Sequence, residues 1–279
     1  MTAINANGDG AVIEPPTVAT ICRAVSYGGG VQSTALLVLA AQGVIDFPTF
    51  LFSNTGEDSE LPETLRYVRE VAVPFAAEQG IELVELQKTR FGKPDTIREA
   101  LRRGRLIIPA RREKDGPPLS RSCTVDFKIG VVSKELKRRG ATPEKPAIVA
   151  LGISVDEIER SSGEGVDPRN PVQHRVYPLL TLGLHRRDCM DVIAAAGLPV
   201  PPPSSCWFCP NHDREAWRSL KRTRSDLFAA SCALEGELAE SKADGRPVFL
   251  TRAGRPLGDV IDDQQSLWGD DCDSGWCFT

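Results

Sequence analysis

The sequence predicts an α/β fold: a doubly wound, mostly parallel sheet followed by a smaller, cysteine-containing helical part. Two observations carry that expectation. Short apolar runs recur at residues 21–25, 49–52, 81–86 and 147–151, and stretches of helix-forming composition separate them. Strands alternating with helices of this length make parallel βαβ units, with helices on both faces of the sheet.

The elements follow in order. The run 21–25 leads straight into glycines, and residues 33–42 (STALLVLAAQ) read as a helix that stops at Gly43. Residues 49–52 read as a buried strand. Pro62 suits the first turn of a helix carrying Leu65, Val68, Val71 and Ala72 on one face. Residues 81–86 alternate apolar with acidic side chains, as a half-buried strand does, and 147–151 is an apolar run between Pro146 and Gly152.

The last third differs. Four prolines within 199–203 make a stiff connector, and a cysteine-rich segment follows. Residues 212–222 and 226–241 read as helices, and 248–251 with the Gly–Arg–Pro turn after it predicts a hairpin. The expected organisation is a loose leader (1–20), a core domain (21–197) and a cysteine-rich C-terminal region (198–279), without internal repeats.

The composition is that of a globular protein, 41% hydrophobic and 26% charged. A net charge of -4 excludes global attraction to nucleic acid, so any basic surface has to be local. The candidate is the run of Arg98, Arg102, Arg103, Arg105, Arg111, Arg112 and Lys114, which reads equally as a solvated surface. The longest apolar run, 35–41, is far short of the roughly 20 residues of a spanning helix. No basic start followed by an apolar stretch marks a secretory signal. Eight cysteines in such a chain point to metal or redox chemistry in a reducing compartment, hence a cytoplasmic protein with no membrane partner.

The most informative segment is Ser26, Tyr27, Gly28, Gly29, Gly30, Val31, Gln32, Ser33, Thr34. A strand ends, three glycines follow, and a helix opens with two hydroxyl residues. Glycines let backbone N–H groups approach an anion, and a helix N-terminus adds partial positive charge. Ser33 and Thr34 suit capping or a phosphate oxygen. The spacing is neither a Walker A loop nor the dinucleotide fingerprint, and a ligand-free turn is the plainer alternative.

This segment resembles the SGGxxS loop of the PP-loop ATP pyrophosphatases, and four later segments agree in order. Asn54–Thr55–Gly56 with Pro62–Glu63–Thr64 is similar to the DTG…PET stretch of the phosphoadenosine-phosphosulfate (PAPS) reductase branch. Arg121, Ser122, Cys123, Thr124 and Lys128 resemble its Cys…Lys segment. Gly152, Ser154, Asp156, Glu157 and Arg160 resemble its G-x-R-x-DE…R stretch, and Tyr177–Pro178–Leu179 with Asp188 its closing segment. The resemblance spans roughly residues 21–210. It implies ATP or an adenylated nucleotide held by these residues, with Cys123, Lys128 and Arg121 in catalytic roles. Three positions depart from the pattern: Gln32 and Asn54 replace acidic residues, and Ser154 replaces an arginine. An amide offers a hard cation no charge, so Mg2+ would depend on Glu57, Asp58, Asp156 or Glu157.

Cys206 and Cys209 form a CxxC, which presents two thiolates to one metal. The resemblance implies a [4Fe–4S] cluster on Cys123, Cys206 and Cys209, with Cys272 a fourth candidate; a structural zinc and a redox dithiol stay open. Cys22, Cys189 and Cys232 read as core residues, and His212 as a surface residue at a helix start.

The implied activity is ATP-dependent sulfur transfer, most similar to the DNA-phosphorothioation sulfurtransferases (the DndC and SspD type). A cysteine desulfurase would donate sulfur and DNA would accept it. Transfer RNA thiolation, thiol-dependent reduction of PAPS through Cys272 or Cys277, and a non-catalytic nucleotide-binding scaffold are the alternatives. The oligomeric state, homo-oligomer included, stays open.

Overall fold

The computed structural model describes residues 22–105, 107–240 and 246–262. Along the chain run β1 (Arg23–Tyr27), α1 (Val31–Ala41), β2 (Thr49–Asn54), α2 (Pro62–Tyr67), α3 (Val73–Glu78) and β3 (Glu82–Gln87). A short hairpin, β4 (Thr89–Arg90) and β5 (Lys93–Pro94), precedes α4 (Ile97–Arg102), α5 (Ser122–Thr124) and α6 (Gly130–Arg138). Then come β6 (Ala147–Leu151), β7 (Gly165–Asp167), β8 (Asn170–Val176), α7 (Pro178–Thr181) and α8 (Arg186–Ala195). The chain continues through α9 (Arg214–Thr223), α10 (Ser225–Glu240) and α11 (Leu257–Asp262). The predicted long helix from Pro62 is α2 and α3 joined by a π-turn, Val68–Ala72.

Two compact units form. The first comprises the described parts of Met1–Asn54, Pro62–Lys88 and Lys128–Ser204; the second those of Thr55–Leu61, Thr89–Phe127 and Ser205–Thr279. The expected divisions 1–20, 21–197 and 198–279 follow chain order, whereas these units interleave. Long-range backbone bonds are the reason: the Ile97 N–H donates to the Thr55 carbonyl, and the Trp207 N–H to that of Ser59.

The first unit is the predicted doubly wound fold. Its six strands lie in the order β3-β2-β1-β6-β8-β7, all parallel except the β7–β8 pair. Alternate residues of each strand face opposite sides. On one face Val25, Tyr27, Phe50, Phe52, Ile148 and Ala150 pack with Leu36 and Leu37 of α1 and with Cys189 and Ile193 of α8. On the other, Ala24, Leu51, Ala147, Val149 and Val172 meet Val132 and Leu136 of α6. Both faces are covered, so β2 is buried along its whole length and reads as a continuous apolar run.

Charge fixes α6 on its face. Arg139 makes paired bonds to Glu82 of β3 and reaches Glu135, which also accepts two bonds from Arg138. The Arg138 bonds, then those of Arg139, hold the Glu135 carboxyl down to about 2. A carboxylate depressed on folding adds stability above its unfolded value near 4.5, and that stability disappears as pH falls towards 2. Glu135→Gln is therefore expected to flatten the dependence of the urea midpoint on pH between 4.5 and 2; an unchanged slope would remove this group from the acid response.

The second unit is mainly helical. Ile97, Leu101, Phe127, Trp207, Trp217, Phe228, Leu234 and Leu250 form its core. The predicted 248–251 hairpin does not form among the described residues. Phe249 makes an isolated antiparallel bridge with Arg111 instead. The buried Glu235 carboxylate of α10 takes the N–H groups of Leu250 and Leu257, both at 2.7 Å, which diverts them from any ladder.

The basic run is not one exposed face. Arg98 lies 5.3 Å over the Trp207 ring, Arg103 pairs with Asp95, and Arg112 bonds the Arg246 carbonyl. Arg102 and Arg105 stay exposed.

Candidate nucleotide site and thiol segment

The order of strands in the first unit reverses at β1. The chain runs outward from β1 to β2 and β3, then crosses to its other side at β6. Such a switch point leaves a crevice beyond the carboxyl ends of the two middle strands, where open α/β sheets bind ligands. The glycine loop leaves β1 there, and Gly152 leaves β6 beside it, since Ser26 pairs with Leu151.

Each loop glycine has its own constraint. Gly29 has φ +75°, and a Cβ there would lie 3.0 Å from Thr64 and 3.1 Å from Val68. A Cβ on Gly30 would come within 2.8 Å of the Ser204 hydroxyl. Gly28 has ordinary room, so crowding does not dictate glycine at that position. A Cβ on Gly152 would stand 3.1 Å from the Ser33 amide nitrogen and 3.2 Å from the Gln32 carbonyl carbon. Helix α1 therefore opens against bare backbone, with Gly30 at its N-cap and no side-chain cap.

The hydroxyls divide. Ser33 donates to the Gly30 carbonyl at 3.1 Å within the loop. Thr34 is fully buried and its hydroxyl bonds that of Tyr27 at 3.0 Å. Tyr27, 2% exposed, stacks edge-on against Phe50 and Phe52. Burial raises its phenol well above the ordinary value. Tyr27 and Thr34 thus support the loop from beneath with their side chains.

The amides Gln32 and Asn54 are both engaged. Gln32 accepts from the Arg186 guanidinium at 3.0 Å, and Asn54 donates to Glu85 at 2.7 Å. Arg69 also bonds Glu85 through two nitrogens, and these bonds hold the Glu85 carboxyl below its usual range. A second carboxylate at position 54 would face Glu85 at that distance, whereas an amide N–H satisfies it.

The segment after β6 turns back on α8. Ser154 is buried, and Asp156 accepts from the His185 ring at 2.8 Å and from the Arg186 N–H. The Arg186 amide bond, then His185, lowers the Asp156 carboxyl, and Asp156 in turn raises His185. Glu157 and Arg160 pair with each other at 2.6 Å. Sequence reading missed Arg186 and His185. Their signal was Arg186–Arg187 in the first turn of a helix, where the dipole disfavours cations unless an anion is close.

Gly56 belongs to the second unit, with φ +129°; a Cβ would lie 2.5 Å from that of Thr96. In the same unit the Cys209 N–H closes a turn onto the Cys206 carbonyl, and the Cys206 sulfur lies 3.5 Å from the Thr55 hydroxyl. Cys123 sits on α5, which the Ser122 hydroxyl ties to the backbone of Ile107. Cys123 and Cys206 both pack against the core of this unit. Arg121 precedes them in the second unit, and Lys128 falls in the first. Among the described residues, no group of three or more Cys, His, Asp or Glu is arranged to hold a metal ion. The three thiols of the expected set, Cys123, Cys206 and Cys209, share the second unit; Cys272 lies outside the described residues, as does Cys277.

The remaining thiols behave as core residues. Burial raises Cys22 and Cys232 and takes Cys189 to about 12. His212 departs from its expected surface role. Its ring packs edge-on against Trp217 at 4.7 Å and bonds the Ser205 hydroxyl, and burial lowers it to about 4.

Fold and loop define an α/β protein with a glycine-rich strand-to-helix turn at its switch point. No protein-family model matches the sequence, and no curated protein matches it. Among solved structures, the U34-tRNA thiolase NcsA from Methanococcus maripaludis, with its [4Fe–4S] cluster, is similar at a TM-score of 0.43 and 15% identity. That match covers 83% of this chain and 76% of the thiolase. No described helix is long and apolar enough to cross a membrane.

Proposed function

We propose that the chain is an ATP-dependent sulfurtransferase of the PP-loop kind that activates a nucleic-acid acceptor. The observation that carries this reading is the bare backbone at the carboxyl ends of β1 and β6, where Gly152 approaches the first turn of α1 so closely that a Cβ would stand 3.1 Å from the Ser33 nitrogen. The backbone N–H groups there suit phosphate oxygens, and Arg186 beside Gln32 adds fixed positive charge.

In the proposed reaction an acceptor oxygen attacks the α-phosphate of ATP, and pyrophosphate leaves. The loop amides and Arg186 stabilise charge on the phosphate oxygens, with Arg121 and Lys128 as further candidates. A sulfur nucleophile then attacks the adenylated acceptor and AMP leaves. Sulfur would come from a cysteine desulfurase as a persulfide on one of Cys206, Cys209 and Cys123. Its outer sulfur bonds the acceptor as AMP leaves, a second of these thiols breaks the S–S bond, and an added thiol such as free cysteine reduces the disulfide so formed. A DNA backbone phosphate is one acceptor, as in phosphorothioation, and a transfer RNA base fits as well.

A second reading has a specific observation in its favour. Gln32 and Asn54 are amides committed to Arg186 and Glu85, which removes two carboxylates from any Mg2+ shell. A scaffold that holds a nucleotide without splitting it follows from that.

One assay separates the readings. Protein prepared without oxygen is incubated with ATP, Mg2+, cysteine, a cysteine desulfurase and either DNA or transfer RNA, and its products are resolved alongside iron and zinc content. AMP and pyrophosphate, with sulfur in one acceptor, are expected. ADP and phosphate, or sulfite released in a parallel reaction with PAPS in place of ATP, would overturn the proposal; bound, unsplit ATP would favour the scaffold.

A further inference from the structure

The β4–β5 hairpin carries an aromatic side chain where the fold gains nothing from it. Thr89 pairs with Pro94 and Arg90 with Lys93, so the connecting loop is the two residues Phe91 and Gly92. Both have positive φ, 50° and 75°, the pattern of a type I′ turn, whose twist suits a tight hairpin. Gly92 adopts it freely. Asparagine is the usual residue before it, because its short polar side chain tolerates the left-handed region; a bulky side chain there is strained.

Burial does not offset that strain. Phe91 is 91% exposed, the most exposed large apolar side chain among the described residues. Its ring is held instead by Arg90, whose guanidinium carbon lies 5.0 Å from the centroid. A strained, oriented, solvent-facing aromatic between two cations is a feature directed outward.

We propose that this tip is a stacking platform for an unpaired base of single-stranded nucleic acid, with Arg90 and Lys93 on the flanking phosphates. A flat ring backed by a guanidinium fits a base face, and stacking of this kind tolerates any sequence. Arg102 and Arg105, exposed in the same unit, supply further positive charge for the backbone. A lipid surface fits less well, since one ring on a two-residue tip buries little hydrocarbon. The proposal rests on the acceptor being a nucleic acid and deepens that reading by naming how it is held.

The test is fluorescence anisotropy of a labelled single-stranded oligonucleotide with the full chain at low salt, without ATP, so that catalysis is not involved. Phe91→Asn creates the Asn–Gly sequence that a type I′ turn prefers. Its thermal midpoint is expected to equal or exceed that of the wild type, while affinity falls about 5- to 100-fold. Phe91→Trp is expected to retain binding. Equal affinity in Phe91→Asn, or loss in Phe91→Trp as well, would overturn the stacking role and leave the sulfurtransferase reading standing. A wild type that binds neither DNA nor RNA would overturn both. Phe91-dependent binding to phosphatidylserine vesicles in place of oligonucleotide would identify a lipid partner and reject this one.

Discussion

Gly152→Val is expected to weaken ATP binding at least about tenfold while leaving the protein folded. Even alanine would set its Cβ 3.1 Å from the Ser33 nitrogen and 3.3 Å from the Gln32 Cβ, tighter than ordinary contact. Valine adds two methyl groups to a space bounded by the first turn of α1. Gly152 itself is half-exposed, so the added bulk has a route outward and the sheet beneath keeps its ladder. What is lost is access to the loop amides. Each hydrogen bond to a charged group contributes about 1.5–3 kcal/mol, so losing one or two weakens ATP by roughly tenfold to ten-thousandfold. Isothermal titration, with a thermal melt of the same sample, checks both halves. Wild-type affinity in a folded Gly152→Val protein would rule the switch-point crevice out as the nucleotide site.

Gly56→Ala is expected to give the largest loss of stability. Two costs act together at this residue. Its φ of +129° lies in a region that strains any side chain, at about 1–3 kcal/mol. The new Cβ would also sit 2.5 Å from the Thr96 Cβ and 2.8 Å from an Asp58 oxygen, an overpacking cost of about 1–3 kcal/mol. Thr96 cannot simply move aside. Its hydroxyl caps α4 by accepting the Glu99 N–H and also donates to Asp58, and the next residue bonds the Thr55 carbonyl. A combined loss of about 2–6 kcal/mol should appear in the urea midpoint. A loss under about 0.5 kcal/mol would mean that the backbone relaxes here at little cost.

The resemblance places Gly56 among nucleotide-binding positions, but its local constraint is steric. A glycine selected for close packing and one selected for ligand approach look the same in a sequence. The same holds for Thr34, whose hydroxyl bonds that of Tyr27, a partner that no local pattern announces.

The sequence by itself determined four strands of the sheet and the glycine loop, whereas β7 and β8 at one edge carry no such apolar run and were not foreseen. Buried parallel strands need apolar runs, helices between them need amphipathic spacing, and a sharp turn into α1 needs glycine; each signal is local. The strand order, and with it the reversal at β1 that places the crevice, came from the tertiary structure. Only the tertiary structure decided which side chains meet. Arg186 reaches Gln32 across 154 residues and Asn54 reaches Glu85 across 31, so no window of sequence contains either pair. The second unit gathers 55–61 and 89–127 with the C-terminal residues through a shared core around Trp207 and Phe127. Burial of apolar surface rewards any close packing, whatever the separation along the chain, and that is why composition foretold a core without foretelling its members.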